Sequence, residues 1–137
     1  PDIEITPARG QVLVTSPIAG LPWQGTYHLD QGFFYFRNVG NRILLGGGRN
    51  LDFTNEESNE MMLTETIQNA LEHLLRSTLA PHHQYKIEHR WSGIMGVGSQ
   101  KKPIVKQLSN NVYCGVRMGG MGIAIGSTIG KEVSELF

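Results

Sequence analysis

A chain of 137 residues, 39% of them hydrophobic, can bury roughly 68–70% of its unfolded surface, so one folded domain over 1–137 is expected and disorder is not. Twelve Lys and Arg balance twelve Asp and Glu, which leaves no electrostatic footprint for nucleic acid or an anionic membrane surface. No apolar run approaches the ~20 residues of a bilayer span and no signal-peptide pattern opens the chain, so a soluble cytoplasmic domain without a membrane partner is expected.

The β-branched segment Gln11–Thr15, bounded by Gly10 and Pro17, reads as a strand, and a Pro/Gly-rich loop follows through Gly25. Phe33–Arg37 and Arg42–Leu45 flank a Gly40-Asn41 turn and read as a β-hairpin. Its apolar residues are continuous rather than alternating, which predicts cover on both faces. Residues 51–62 are polar, with Asp52, Thr54 and Asn55 as candidate helix caps and Glu56, Glu57 and Glu60 suited to a first turn. Leu63, Ile67, Ala70, Leu71, Leu74, Leu75 and Leu79 then form one helical stripe, which Pro81 stops. Strands are predicted at Tyr85–Trp91, Ile104–Leu108 and Val112–Val116, the last two joined at Asn110-Asn111. A final helix is predicted over Met121–Phe137, with Gly122, Gly126 and Gly130 four apart on one face. Each interior glycine costs about 0.5–1 kcal/mol, which a bare face against a strand or ligand would justify. The expected fold class is α+β, a mostly antiparallel sheet with one amphipathic packed helix and a C-terminal helix.

Seventeen glycines exceed the ~7% average, and they cluster at Gly46–Gly48, Gly93–Gly98 and Gly115–Gly130. The segment Gly115-Val116-Arg117-Met118-Gly119-Gly120-Met121-Gly122-Ile123 follows a strand and opens a helix. Such a turn offers free backbone N–H groups and the positive end of a helix dipole to an anion, and it serves equally as a packing device. Gly46-Gly47-Gly48 reads as a strand-end turn. Cys114 cannot form an internal disulfide and, in its apolar run, reads as a buried, inert thiol. His82, His83 and His89 straddle a helix stop and a strand, an arrangement that suits exposed histidines better than a metal site, so no metal is expected. No nucleophile elbow is present.

Three stretches in order resemble the C-terminal half of the D-amino-acid oxidase and glycine oxidase family of flavoproteins. Pro7-Ala8-Arg9-Gly10-Gln11 is similar to the family's Pro-x-Arg-Gly-Gln strand start, and Arg42–Gly47 to its strand ending in a glycine pair. Trp91-Ser92-Gly93, Pro103-Ile104 and Gly119-Gly120-Met121-Gly122 follow its Trp-x-Gly, Pro-Ile, Gly-Gly-x-Gly order. The resemblance implies FAD as cofactor, with Arg117, Gly119, Gly120, Met121 and Gly122 at the flavin's pyrimidine edge, and Tyr35 and Met95 on the substrate side. It implies a parent enzyme that moves a hydride equivalent to flavin from an amine, an amino acid or a 2-hydroxy acid. Relatives that oxidise amino acids often carry an arginine two positions after the Trp-x-Gly glycine. Here that position is Met95, which cannot pair with a carboxylate, with Arg37 and Arg90 as candidate substitutes. The family's Gly-x-Gly-x-x-Gly fingerprint is not found in these residues. The chain is therefore expected to be a C-terminal portion of a longer oxidoreductase, partnered by an N-terminal FAD-binding segment. The alternative is a non-catalytic binding module of the same fold, and in either case exposed apolar surface predicts a homodimer of the isolated chain.

Overall fold

The computed structural model describes residues 3–137, and the α+β class with a mostly antiparallel sheet is observed. The chain divides into two compact units, Pro1–Ala8 with Ile94–Phe137, and Arg9–Gly93. The boundary falls within β1 (Thr6–Thr15) and within β5 (Ile87–Val97).

The Arg9–Gly93 unit is built on β1, β2 (Thr26–Leu29), β3 (Phe34–Val39) and β4 (Arg42–Gly47). The sheet order is β2-β3-β4-β1-β5, and β2–β3, β3–β4 and β1–β4 are all antiparallel. The predicted hairpin is β3–β4, with Val39 opposite Arg42 and Gly40 at φ +59 in the two-residue turn. The Pro/Gly-rich loop ends at Gly25 as expected, but Thr26–Leu29 then pairs with β3 as an edge strand that was not predicted. That strand buries none of its four residues, so it carries no hydrophobic pattern for a sequence reading to find.

Asp52 does cap a helix, accepting from the Asn55 N–H, but α1 (Phe53–Glu56) lasts only four residues. The long helix α2 (Glu65–Leu74) starts two residues after Leu63, which stays exposed, and runs into a π turn at Leu75–Leu79. In that turn the Ala80 N–H reaches back to the Leu75 carbonyl (2.9 Å), and Pro81, lacking an N–H, follows. The core joins Leu13, Phe36, Ile43 and Leu45 of the sheet to Ile67, Leu71, Leu75 and Leu79 of the helix. Each fully buried Leu or Ile contributes roughly 1.5–3 kcal/mol.

Along β1, side chains two apart share a face. Arg9, Gln11, Leu13 and Thr15 are all buried, and Leu13 joins the core beneath α2. Arg9 forks onto the Glu56 carboxylate through Nε and Nη2, both at 3.0 Å, and donates to the Asn55 and Glu60 carbonyls. Gln11 and the Thr64 hydroxyl donate to the same carboxylate at 2.9 and 2.8 Å. Gln68 continues the network to Arg90, which also pairs with Glu72. Thr64 precedes α2 without capping it, because its hydroxyl serves Glu56 and Gln11 instead.

In the other unit β6 (Ile104–Ser109) and β7 (Val112–Val116) form an antiparallel hairpin. Helix α3 (Gly122–Ser134) packs on it, ending three residues short of the predicted Phe137. The close approach is made by the strand's glycine rather than the helix's. A Cβ on Gly115 would meet Ile129 Cγ2 at 2.6 Å and Val133 Cγ2 at 2.9 Å, whereas one on Gly126 or Gly130 would meet nothing. Among the described residues the Gly126 and Gly130 positions of the stripe are thus bare, while Gly122 faces Met118 Sδ at 3.5 Å. Among the described residues no helix is long and apolar enough to cross a membrane.

Candidate functional site

In the unit that holds α3, β7 ends at Val116 and the next four residues turn sharply. Arg117, Gly119 and Gly120 all lie in the left-handed region, at φ +60, +57 and +85. Two of the three are glycine, for which that region carries no Cβ penalty, while for Arg117 it costs roughly 1–2 kcal/mol. The Arg117 guanidinium, 8% exposed, donates to the Glu4 carbonyl, the Glu4 carboxylate and the Lys102 carbonyl. Its stem lies against Gly98, where a Cβ would come within 2.6 Å. Those bonds pin the strained residue to two neighbouring segments of its own unit. Glu4 in turn accepts from the Ser99 N–H and hydroxyl at 2.6 and 2.9 Å, which with Arg117 hold its carboxyl below the usual range. Neither Glu4 nor Ser99 is marked by any sequence motif.

The Gly119 N–H donates to the Gly96 carbonyl (3.1 Å), seating the turn on β5. Met95, the substrate-side candidate, reaches this turn, its Sδ lying 3.0 Å from where a Gly120 Cβ would stand. Open space surrounds the equivalent point on Gly119. Met121 is the N-cap of α3, with no side-chain cap; its N–H donates to the Met118 carbonyl, and the Ala124 N–H donates to the Met121 carbonyl. Among the described residues no backbone carbonyl accepts from the Gly122 or Ile123 N–H, so both are free at the positive end of a thirteen-residue helix. Met121 is 58% exposed and Ile123 fully so, which surrounds these donors with apolar surface. Gly119, Gly120, Met121, Gly122 and Met95 are thus brought together, and Arg117 fixes the turn from behind. An anion-stabilising edge beside an apolar, close-approach surface is what a flat heteroaromatic ring with a polar rim requires, so these residues fit a flavin.

Tyr35 belongs to the Arg9–Gly93 unit. Phe36 points into the core, and Tyr35 lies on the opposite face of β3, stacked where Gly46 leaves room. A Cβ on Gly46 would strike the Tyr35 ring at 2.6 Å and Val12 Cγ1 at 2.4 Å. Partial burial, with the residue still 36% exposed, raises the Tyr35 phenol pKa, and like any tyrosine it stays protonated at neutral pH. Gly47, at φ +111, leads the chain into the glycine turn, with its Cβ position 1.9 Å from the Phe33 carbonyl. The exposed Arg37 side chain donates to the Asn38 carbonyl, while Arg90 is committed to Gln68 and Glu72. Cys114 is a half-buried free thiol. Among the described residues no group of three or more His, Cys, Asp and Glu is placed to hold a metal ion.

The family model described as DAO, FAD dependent oxidoreductase, matches residues 1–136. No curated protein sequence matches the chain. Among solved structures, L-proline dehydrogenase from P. horikoshii is similar with a TM-score of 0.76 at 17% identity, over 98% of this chain and 36% of that one. Glycine oxidase from Bacillus cereus ATCC 14579 is similar with a TM-score of 0.74 at 13% identity, over 96% and 35%. L-amino acid deaminase from Proteus vulgaris is similar with a TM-score of 0.69 at 17% identity, over 99% and 33%. The chain therefore spans about a third of the length of the solved structures it matches.

Proposed function

Because the chain belongs to the DAO family of FAD-dependent oxidoreductases, we propose that it supplies the substrate-side sheet and one wall of the flavin site. The rest of the site would come from a dinucleotide-binding segment carrying the Gly-x-Gly-x-x-Gly fingerprint. The observation that carries this reading is the left-handed turn at 117–120 running into the uncapped α3, with the N–H groups of Gly122 and Ile123 free. FAD, when bound, accepts the hydride equivalent from an amine, an amino acid or a 2-hydroxy acid. The protein's part is placement and electrostatics. Gly119 and Gly120 keep the backbone clear of side chains so that the ring can lie close, and Met121 offers an apolar contact. With flavin bound, the Gly122 and Ile123 N–H groups and the α3 dipole would stabilise negative charge on the ring. An effect of about 1 kcal/mol there corresponds to roughly 20 mV for a two-electron couple.

On the substrate side, Met95 presents a thioether beside the turn and cannot neutralise a carboxylate. That favours amines, or amino acids whose carboxylate is held by another group. Tyr35, with its phenol held protonated, is the candidate hydrogen-bond donor to substrate.

The test is flavin retention. Purified chain mixed with FAD and passed through a desalting column is expected to quench and co-elute flavin weakly, and strongly when a dinucleotide-binding segment is fused upstream. Gly119→Val is expected to abolish the co-elution in the fused protein. Retention unchanged by Gly119→Val would overturn the assignment of this turn. A second reading, a non-catalytic module that self-associates, draws on the same exposed Met121 and Ile123. Gel filtration at high concentration separates the two: a homodimer that persists in the fused, flavin-loaded protein favours the module.

A further inference from the structure

A cavity lies wholly within residues 72–87, apart from the turn at 117–122. It encloses about 500 Å³ and is lined by Glu72, Leu75, Arg76, Ala80, His83 and Tyr85, among others. That volume falls within the roughly 300–1,000 Å³ of small-molecule sites. Its floor exists because α2 widens into a π turn. Leu75 and Ala80, joined by the five-residue hydrogen bond, are both fully buried and close the cavity from beneath. π turns of this kind concentrate at functional sites.

The polar rim is unbalanced. His83 holds its ring Nδ1 away from solvent with no partner in the protein, one of two such side-chain atoms among the described residues. A buried ring nitrogen without a partner costs about 1–3 kcal/mol, and a bound group or an ordered water is the usual remedy. Arg76 makes one ion pair, to Glu72 at 3.3 Å, and its side chain is otherwise 67% exposed. The one carboxylate, Glu72, is committed to Arg90 at 2.6 Å as well as to Arg76. What remains unspent is therefore donor capacity: the outer face of the Arg76 guanidinium, the Tyr85 hydroxyl and the Gln84 amide, above a small apolar floor.

We propose that this cavity is a binding site for a small aliphatic monocarboxylate, with its oxygens on Arg76 and its hydrocarbon end on Pro81 and Ile87. Arg76 supplies the charge, in the planar geometry that suits a carboxylate. His83 and Tyr85 supply the polar rim that fixes orientation, and Glu72 repels a second negative charge.

The experiment is a titration of the ¹⁵N-labelled full chain with propionate at constant ionic strength, followed by amide shifts, with propylamine as the matched cation. Saturable shifts confined to residues 75–87 are expected with propionate, and none with propylamine. Arg76→Gln, a change at an exposed side chain that leaves the fold's spectrum intact, is expected to weaken propionate about tenfold, and Arg76→Lys less. Shifts that fail to saturate, shifts of equal size with propylamine, or an unchanged affinity in Arg76→Gln would each overturn the proposal.

Discussion

Arg9→Met tests the buried network most directly. Methionine keeps an apolar stem but lacks the guanidinium, so the substitution removes the charge and four hydrogen bonds. It leaves the Glu56 carboxylate, 1% exposed, with only Gln11 and Thr64 as donors. Breaking a buried pair from one side costs about 3–5 kcal/mol, a large share of the 5–15 kcal/mol that holds a domain together. Removing both charges in Arg9→Met/Glu56→Leu costs less than the sum of the single changes, because no charge is then stranded. Trp23 packs edge-on against Phe36 of the same unit, so its fluorescence in urea, with circular dichroism beside it, reports the loss. Acidity supplies an independent check. Burial pushes the Glu56 carboxyl up, but the donors from Arg9, Gln11 and Thr64 outweigh it and hold the carboxyl below its usual value. A depressed carboxyl contributes stability that is present above the unfolded pKa of about 4.3 and is lost as pH falls through the folded value. Without Arg9, burial dominates and the sign reverses, so the gap between wild type and Arg9→Met narrows as pH is lowered from 7 to 4. A cost under about 1 kcal/mol at pH 7, or single changes that add to within about 0.5 kcal/mol, refutes the reasoning.

Three further outcomes follow from the close approaches. Gly115→Ala forces a methyl to within 2.6 Å of Ile129 and 2.9 Å of Val133, and calorimetry should show about 1–3 kcal/mol lost as α3 is pushed off its hairpin. Gly47→Ala combines φ +111 with a Cβ only 1.9 Å from the Phe33 carbonyl oxygen, so it costs more than Gly115→Ala and reduces the yield of folded protein. Gly120→Ala, strained at φ +85 and 3.0 Å from Met95 Sδ, is expected to lower flavin affinity in the fused protein severalfold, and Met95→Ala, by clearing that contact, to restore part of it. Asp52→Ala removes the cap of α1 and costs about 1 kcal/mol, read by urea denaturation.

The β3–β4 hairpin and the heart of α2 were legible because their signals are local: aromatic and branched runs around Gly40-Asn41, and a leucine stripe whose spacing admits only a helix. Strand β7 was read with its observed bounds, since Asn110-Asn111 marks the turn before it. β2 was missed because an edge strand exposed on every residue leaves no pattern. The π turn was missed because widening a helix by one residue barely changes the apolar spacing. At the candidate site the glycine turn and the helix that follows it were readable, whereas the work of Arg117 was not. Its partners, Glu4 and Lys102, lie far from it in sequence and carry no motif. The Arg9 and Gln11 of the family's strand start were legible as a signature but not as a network. A charged residue two positions from another polar one, on the face that continues with Leu13, was the available clue.

The unit that holds α3 is assembled from both ends of the chain, residues up to Ala8 and those from Ile94 onward, while Arg9–Gly93 is a single uninterrupted stretch. Order of folding follows from that connectivity. The uninterrupted stretch closes its contacts over short loops, and during synthesis it is complete before Ile94 emerges. The other unit must wait until Arg117 is available to meet Glu4, a contact of long sequence separation whose loop-closure cost falls sharply once the intervening residues are already folded. The glycine turn is therefore expected to lock into place after the Arg9–Gly93 unit. Hydrogen exchange should find its amides, together with that of Ser99, trading protons faster than those of Leu13 and Leu71.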